Sequence, residues 1–333
     1  MPTAAPDARV KVLYIGGTGR TGSTLLESIV GQFDGVFNGG ELAFLWRYGL
    51  AARGRCSCGE PIVDCPTWQK ILDAAYGGAD QIDAAEMVRL RKRFHSVHLP
   101  LLVSPGLGHR MLDRCQPFPD RVEELYRAIH ETTGTSVIVD GSKEPHYSYI
   151  LRSLPSLDLY FLHLVRDPRA IAYSWRKKHT ERGIGDGALM ERRGCLKMAA
   201  YFDVSNSAAE LMWKPTAGRY LRLRYEDFVA DPVRAVRDIG EFVGERFDLE
   251  QLLVNDEVSL MPTHGAWGNP NRFDRGPARI RLDAAWVNGL PAWRRRAATA
   301  MTWPLMLRYG YPLSYAGARA ELAGRRSHAT VGG

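Results

Sequence analysis

The 333-residue sequence has no apolar run approaching the roughly 20 residues that a membrane-crossing helix requires. Its opening stretch, MPTAAPDARVKV, lacks the apolar core of a secretory signal, and a strand pattern begins at about Val10 with nothing cleavable ahead of it. These absences place the expectation in the cytoplasm. No internal repeat is present. Neither charge sign dominates: 44 Lys and Arg against 37 Asp and Glu leave +7. That excess favours anionic ligands but is small enough to be solvated surface. Arg294, Arg295, Arg296, Arg325 and Arg326 are read as such a surface, so nucleic acid is not an expected partner.

Cysteine is scarce and unevenly placed, with three of the five residues in RCSCGEPIVDCPTW as Cys56, Cys58 and Cys65. The C-x-C-x6-C spacing is not a standard zinc pattern, although three thiolates could help bind zinc if a fourth ligand came from elsewhere. The expectation is reduced or opportunistically paired loop thiols, with metal or a disulfide as the alternative and no metal required for the chemistry.

The remaining composition, 45% hydrophobic and 24% charged, is that of a globular protein long enough for a full core. Short apolar strands are expected at Val10–Ile15, Val36–Asn38, Ser136–Val139, Leu159–Val165 and Tyr220–Leu223. They alternate with helices at Ser23–Phe33, from Glu41, Thr67–Ala75, Ala84–His98, Asp120–Thr133, from Pro168, Met190–Trp213, Pro232–Val243 and Pro291–Thr302. This alternation predicts an α/β fold with a mainly parallel central sheet and ligands at the strands' carboxyl ends. Residues 51–118 read as an acceptor-side insertion of helices and loops, and 316–333 as a flexible polar tail on a single domain.

What is missing from the first loop is as informative as what it contains. VLYIGGTGRTGSTLL has the glycine spacing of G-x-x-x-x-G-K-[ST] at Gly17 and Gly22, but Ser23 stands where that pattern has lysine. A triphosphatase would lose the cation that reaches the β- and γ-phosphates, and Asp140 is the only evident metal-binding acid after a second strand. Gly17, Gly19 and Gly22 also spell G-x-G-x-x-G, and Glu41 follows at about the distance of a ribose-binding acid, so an NAD(P)-dependent oxidoreductase is an alternative. Against it, Arg20 and the hydroxyls of Thr21, Ser23 and Thr24 suit a terminal anion better than a pyrophosphate lying over bare glycine. HLVRDPRAIAYSW then adds a second anion site: Arg166 at a strand end and Ser174 two helical turns on.

GRTGSTLL followed by LVRDPRAIAYSW resembles the sulfotransferases that use 3′-phosphoadenosine 5′-phosphosulfate (PAPS), in their bacterial, Golgi-type and tyrosylprotein branches. The resemblance continues through RYEDF (Arg224–Phe228) and GNPNRF (Gly268–Phe273), in family order. It implies a P-loop-like sheet in which Gly19, Arg20, Thr21, Gly22, Ser23 and Thr24 hold the phosphosulfate. Arg166 and Ser174 would hold the 3′-phosphate, and Tyr225, Gly268, Asn269 and Arg272 further parts of the nucleotide. It also implies Glu41 as general base, Lys143 in VDGSKEPHY as contact to the transferring group, and Arg20 at the leaving oxygen.

His146 and His264 remain rival bases. His264 is otherwise expected to order its loop or touch the nucleotide, and Tyr225 and Trp267 to stack on adenine or fill core. The acceptor would be a small-molecule, carbohydrate or glycolipid hydroxyl, lined by Phe94, His95, His98 and Leu101. A non-catalytic adenosine-nucleotide binder is the non-enzymatic alternative.

Overall fold

The computed structural model of the chain describes residues 9–94, 102, 105–177, 183–184, 193–254 and 257–328. Five strands form its main sheet: β1 (Val10–Gly17), β2 (Val36–Gly40), β3 (Val137–Lys143), β4 (Leu157–Val165) and β5 (Tyr220–Arg224). All pairings are parallel and the spatial order is β2-β3-β1-β4-β5. The central strands are near-continuous apolar runs because both faces of a parallel sheet are covered. β5, paired only with β4 among the described residues, alternates arginine with apolar residues as an edge strand should.

Side chains along β1 alternate between two cores. Val12 and Tyr14 join a core with Phe161, Trp213 and the helix Phe118–Thr133, while Leu13 and Ile15 join another with the helices Ser23–Val30 and Pro232–Val243. A small antiparallel sheet, β6 (Leu253–Val254), β7 (Glu257–Leu260) and β8 (Gly276–Arg279), packs Val258 and Leu260 on the second core.

The strand order separates this fold from the 3-2-1-4-5-6 order of dinucleotide-binding sheets, which removes the main support for the nicotinamide alternative. The chain runs from β1 to β2 on one side and from β4 to β5 on the other, so the connections diverge between the neighbours β1 and β4 and open a crevice at their carboxyl ends.

Some expected elements differ. The helix expected from Glu41 is a 3₁₀ turn, Leu42–Phe44, followed by a π-helical segment, Leu45–Ala51. The Ala43 N–H donates to Ser142 Oγ (2.9 Å), which ties this turn to β3. The helix expected over Ala84–His98 is described as Ala84–Arg93. The expected flexible tail instead forms the helix Tyr315–His328, whose Ala318 and Leu322 are buried against Ala170 and Trp286. Arg325 Nη1 also donates to the Glu226 carbonyl (3.2 Å). No helix among the described residues is long and apolar enough to cross a membrane.

Candidate active site

The glycine loop after β1 is built from backbone conformations that ordinary residues avoid. Gly17 (φ 126°) and Gly22 (φ 89°) lie in the left-handed region, as does Arg20 (φ 72°). A Cβ at Gly22 would sit 2.6 Å from the Tyr225 ring, so glycine is required there by both conformation and space. Gly22 offers no side-chain cap to the eight-residue helix Ser23–Val30, and its first-turn N–H groups point toward the loop with the positive end of the helix dipole. Thr21 Oγ1 donates to the Thr18 carbonyl (3.2 Å), while Thr18 Oγ1 is buried without a partner. The Arg20 guanidinium lies 5.2 Å from the Trp175 ring, and a Cβ at Gly19 would approach that ring to 3.1 Å.

Beside this loop the sheet register sets Lys143 opposite Gly16. Lys143, like Arg20, is a cation held at positive φ (68°). Its Nζ donates to Glu41 Oε1 (2.7 Å) and to the Gly141 carbonyl (2.6 Å), and lies 3.8 Å from Glu27 Oε1. Glu41 follows β2, with its N–H donating to the Trp267 carbonyl (2.9 Å). Thus the two residues proposed for proton and sulfuryl chemistry, 102 positions apart, form one largely buried ion pair, with side chains 10% and 17% exposed.

Glu27 was not anticipated. It is buried on the glycine-loop helix, and a Cβ at Gly141 would collide with its carboxylate. Burial raises its carboxyl above the ordinary glutamate value, although Lys143 opposes this. For Lys143 the balance reverses: burial would lower the ammonium, but Glu41 and Glu27 together raise it. A carboxylate in STLLESIV would ordinarily be taken for a solvated helix residue. Nothing in its local pattern marked it as buried.

The candidate second anion site centres on Arg166. Arg166, buried at the end of β4, donates through Nη1 to the Arg20 carbonyl (3.0 Å), tying the two motif loops together. Its guanidinium lies 4.4 Å from the Tyr225 ring, so this tyrosine spans Gly22 and Arg166. Asp283, also unanticipated, accepts from Arg166 Nη2 (3.2 Å) and lies 3.6 Å from Lys177 Nζ. Burial would raise the Asp283 carboxyl, but Arg166 holds it below the ordinary aspartate value. Ser174 ends the helix Pro168–Ser174 and is buried nearby in sequence.

The GNPNRF loop closes over Glu41: a Cβ at Gly268 would lie 3.7 Å from Glu41 Oε1. Asn269 Oδ1 accepts from the Asn271 N–H (3.1 Å), and Arg272 donates to the Gly268 carbonyl (2.7 Å) between the Trp267 and Phe273 rings. Trp267 itself stacks on Tyr48 at 4.2 Å.

Other expectations shift. Asp140, the one metal-acid candidate, accepts from the Tyr126 and Ser142 hydroxyls and from the Ser142 N–H (2.8 Å), and burial raises its carboxyl to about 6. It organises the turn into Lys143. His146 Nε2 lies 3.2 Å from Glu144 Oε2, and Glu144 also accepts from Arg91. Partial burial would raise Glu144, but Arg91 and His146 bring it down to about 2, so His146 is paired with a half-buried acid. Phe94 is buried and stacks on Tyr149 at 6.1 Å, as core instead of acceptor lining; His95, His98 and Leu101 lie outside the described residues.

His264 does not face the Glu41–Lys143 pair. Its Nδ1 lies 3.4 Å from Cys65 Sγ and 3.6 Å from Cys56 Sγ. Burial, and secondarily Arg275, lowers its imidazolium value.

Comparisons agree on one family. A family model described as "Sulfotransferase family" matches residues 13–249. Carbohydrate sulfotransferase 2 of Homo sapiens is 29% identical over 161 residues, 36% of this chain and 28% of that protein; the Mus musculus protein matches equally. The chain therefore matches little more than a quarter of the length of these curated relatives. Among solved structures, the sulfotransferase domain of the Synechococcus PCC 7002 olefin synthase superposes with a TM-score of 0.54 at 20% identity, covering 94% of this chain and 99% of that one. The sulfotransferase domain from the curacin biosynthetic pathway gives 0.51 at 16%, covering 92% and 100%.

Proposed function

We propose that this chain, which belongs to the sulfotransferase family, transfers a sulfuryl group from PAPS to an acceptor hydroxyl and releases the 3′,5′-bisphosphate PAP. The observation that carries this is the junction of two anion sites. Arg166 bonds the backbone of the loop containing Arg20, while the Glu41–Lys143 pair adjoins β1 on the other side. The donor has separated 5′ and 3′ anionic groups, and the chain offers a cation-bearing site for each. Unlike the nicotinamide and triphosphate alternatives, this accounts for both sites and for the missing P-loop lysine.

The chain's groups divide the work by charge. The Gly19–Thr24 backbone and hydroxyls, with Arg20, hold the phosphosulfate at the helix N-terminus. Arg166, with Ser174 beside it in the motif, receives the 3′-phosphate, displacing the Asp283 carboxylate that now occupies its fork. Tyr225, Gly268, Asn269 and Arg272 enclose the nucleotide side.

Glu41 accepts the acceptor's hydroxyl proton. The oxygen left behind bonds to sulfur as the sulfur–oxygen bond to phosphate breaks, and the leaving phosphate oxygen keeps that electron pair beside Arg20. Protonating Glu41 weakens its hold on Lys143, and the ammonium turns to the sulfuryl oxygens just as charge develops there. Glu27 keeps that ammonium charged in a dry site. Among acceptor classes, the printed name of the carbohydrate sulfotransferase relatives favours a carbohydrate hydroxyl.

The test pairs binding with turnover. PAP should bind the wild type, and adenosine 5′-phosphate, which lacks only the 3′-phosphate, at least tenfold more weakly, by about 1.5–3 kcal/mol for lost charge-assisted hydrogen bonds. Radiolabelled-sulfate PAPS is then offered with a panel of carbohydrate, lipid and phenolic acceptors. Glu41→Gln should retain PAP affinity while turnover falls roughly 10²–10⁴-fold. Equal affinity with and without the 3′-phosphate, or full turnover in Glu41→Gln, would overturn the proposal.

A further inference from the structure

Outside the proposed catalytic crevice, four metal-ligating side chains converge. Cys56, Cys58, Cys65 and His264 present ligand atoms that all lie within 4.8 Å of one another. Cys56 and Cys65 are buried and Cys58 is half-buried. They come from two segments about 200 positions apart in sequence. From these distances we infer that Cys56, Cys58, Cys65 and His264 form a structural zinc site, with His264 bound through Nδ1.

The spacing is that of a tetrahedron. Ligands at about 2.3 Å for sulfur and about 2.0 Å for nitrogen around one Zn²⁺ lie about 3.8 Å apart for a sulfur pair and about 3.5 Å for sulfur and nitrogen. The chain has Cys58 and Cys65 sulfurs at 3.8 Å, and His264 Nδ1 at 3.4 Å from Cys65 and 3.6 Å from Cys56. A disulfide would instead draw two sulfurs to about 2.05 Å and leave a thiol facing the imidazole.

The surroundings fit an ion as well. His264 Nε2 lies 3.2 Å from Thr67 Oγ1, the partner that fixes which ring nitrogen faces the sulfurs. The Cys58 N–H donates to Cys56 Sγ (3.4 Å) across a turn containing Gly59 at φ 106°, which aims both sulfurs to one side. Cys65 precedes the helix Pro66–Tyr76, whose N-terminal dipole favours a thiolate. Arg275 donates to the Ser57 carbonyl, bringing positive charge to a centre that with three thiolates, one neutral imidazole and Zn²⁺ carries −1. Loading releases the three thiol protons to solvent. Cys₃His with no further ligand is a closed set, which makes the ion structural.

Its position explains what it would hold. The Ser57 N–H donates to the Gly265 carbonyl (2.9 Å), the Ala266 N–H to the Gly39 carbonyl (2.8 Å), and the Glu41 N–H to the Trp267 carbonyl (2.9 Å). Zinc thus clamps the 54–66 loop to the strap that runs over the end of β2 and fixes the backbone of Glu41.

The experiment measures metal in wild-type protein purified without chelator, where one zinc per chain is expected. Replacement by cobalt(II) should give thiolate-to-metal charge transfer and the visible bands of a tetrahedral site. Thr67→Val, outside the ligand set, should weaken zinc about 10–100-fold in competition with a chromogenic chelator. Cys58→Ser should lose zinc under conditions where the wild type retains it. Metal-free protein, iron in place of zinc, or a Cys58–Cys65 disulfide in protein purified anaerobically would each overturn the inference, and none depends on a variant folding.

Discussion

Replacing Lys143 with methionine isolates the electrostatics of the crevice. The substitution keeps the side chain's bulk and removes a cation that bonds Glu41 at 2.7 Å and faces Glu27 at 3.8 Å. The three side chains are between 5% and 17% exposed, so solvent cannot replace the lost charge. Breaking a buried pair by deleting one partner costs about 3–5 kcal/mol.

The loss should depend on pH, with a definite sign. Glu27 already has a folded-state value above its unfolded one, and without Lys143 that value climbs further. A carboxyl raised by folding binds its proton more tightly in the native state, so its destabilisation appears as pH rises through the unfolded value of about 4.3 and levels off above the folded value. The variant's deficit should therefore be largest near pH 8 and shrink at pH 4.5, by about 1.4 kcal/mol for each unit by which the variant's folded value exceeds the wild type's.

Urea unfolding followed by tryptophan fluorescence across that range measures the deficit. Glu27→Gln in the Lys143→Met background should recover much of the stability at pH 8 without restoring sulfuryl transfer. A deficit below about 0.5 kcal/mol, within the usual range for surface substitutions, or one independent of pH, would refute the buried-triad argument.

Three further outcomes follow from the same geometry. Gly22→Ala should lose about 1–2 kcal/mol from left-handed backbone strain, plus the displacement of Tyr225, and should weaken PAP binding, read by calorimetry. Asp283→Asn should tighten PAP, because the carboxylate competing for Arg166 is gone, whereas Arg166→Ala should weaken it about ten- to a hundredfold. For Asp140, raised by burial to about 6, wild-type stability should decline as pH climbs from about 4 to 6, by about 2–3 kcal/mol; Asp140→Asn should flatten that stretch of the urea-unfolding profile.

Local physics made much of the fold legible. The buried runs of β1, β3 and β4, and the left-handed backbone at Gly17 and Gly22, are matters of residues within a few positions of one another. The same is true of Asp167, which caps the helix Pro168–Ser174 by accepting from the Arg169 N–H (2.8 Å). The two anion-site arginines were visible because each follows an apolar strand, where parallel sheets put their ligands. Glu41 and Lys143 could be named individually for the same reason.

Their partnership could not be read from sequence, because it joins strands 102 positions apart that become neighbours only through the order β2-β3-β1. Glu27 and Asp283 escaped notice because an acid's environment, not its local pattern, decides whether it is solvated or pressed against a cation. The cysteine cluster had three thiols and no visible fourth ligand until the chain returned His264 to them from 199 positions beyond Cys65. Sequence by itself determined which segments are strands, which turns need glycine and which residues could carry charge chemistry. Only tertiary structure decided which charges meet, since the pairing of distant groups depends on strand order and on desolvation, neither of which is a local property of the chain.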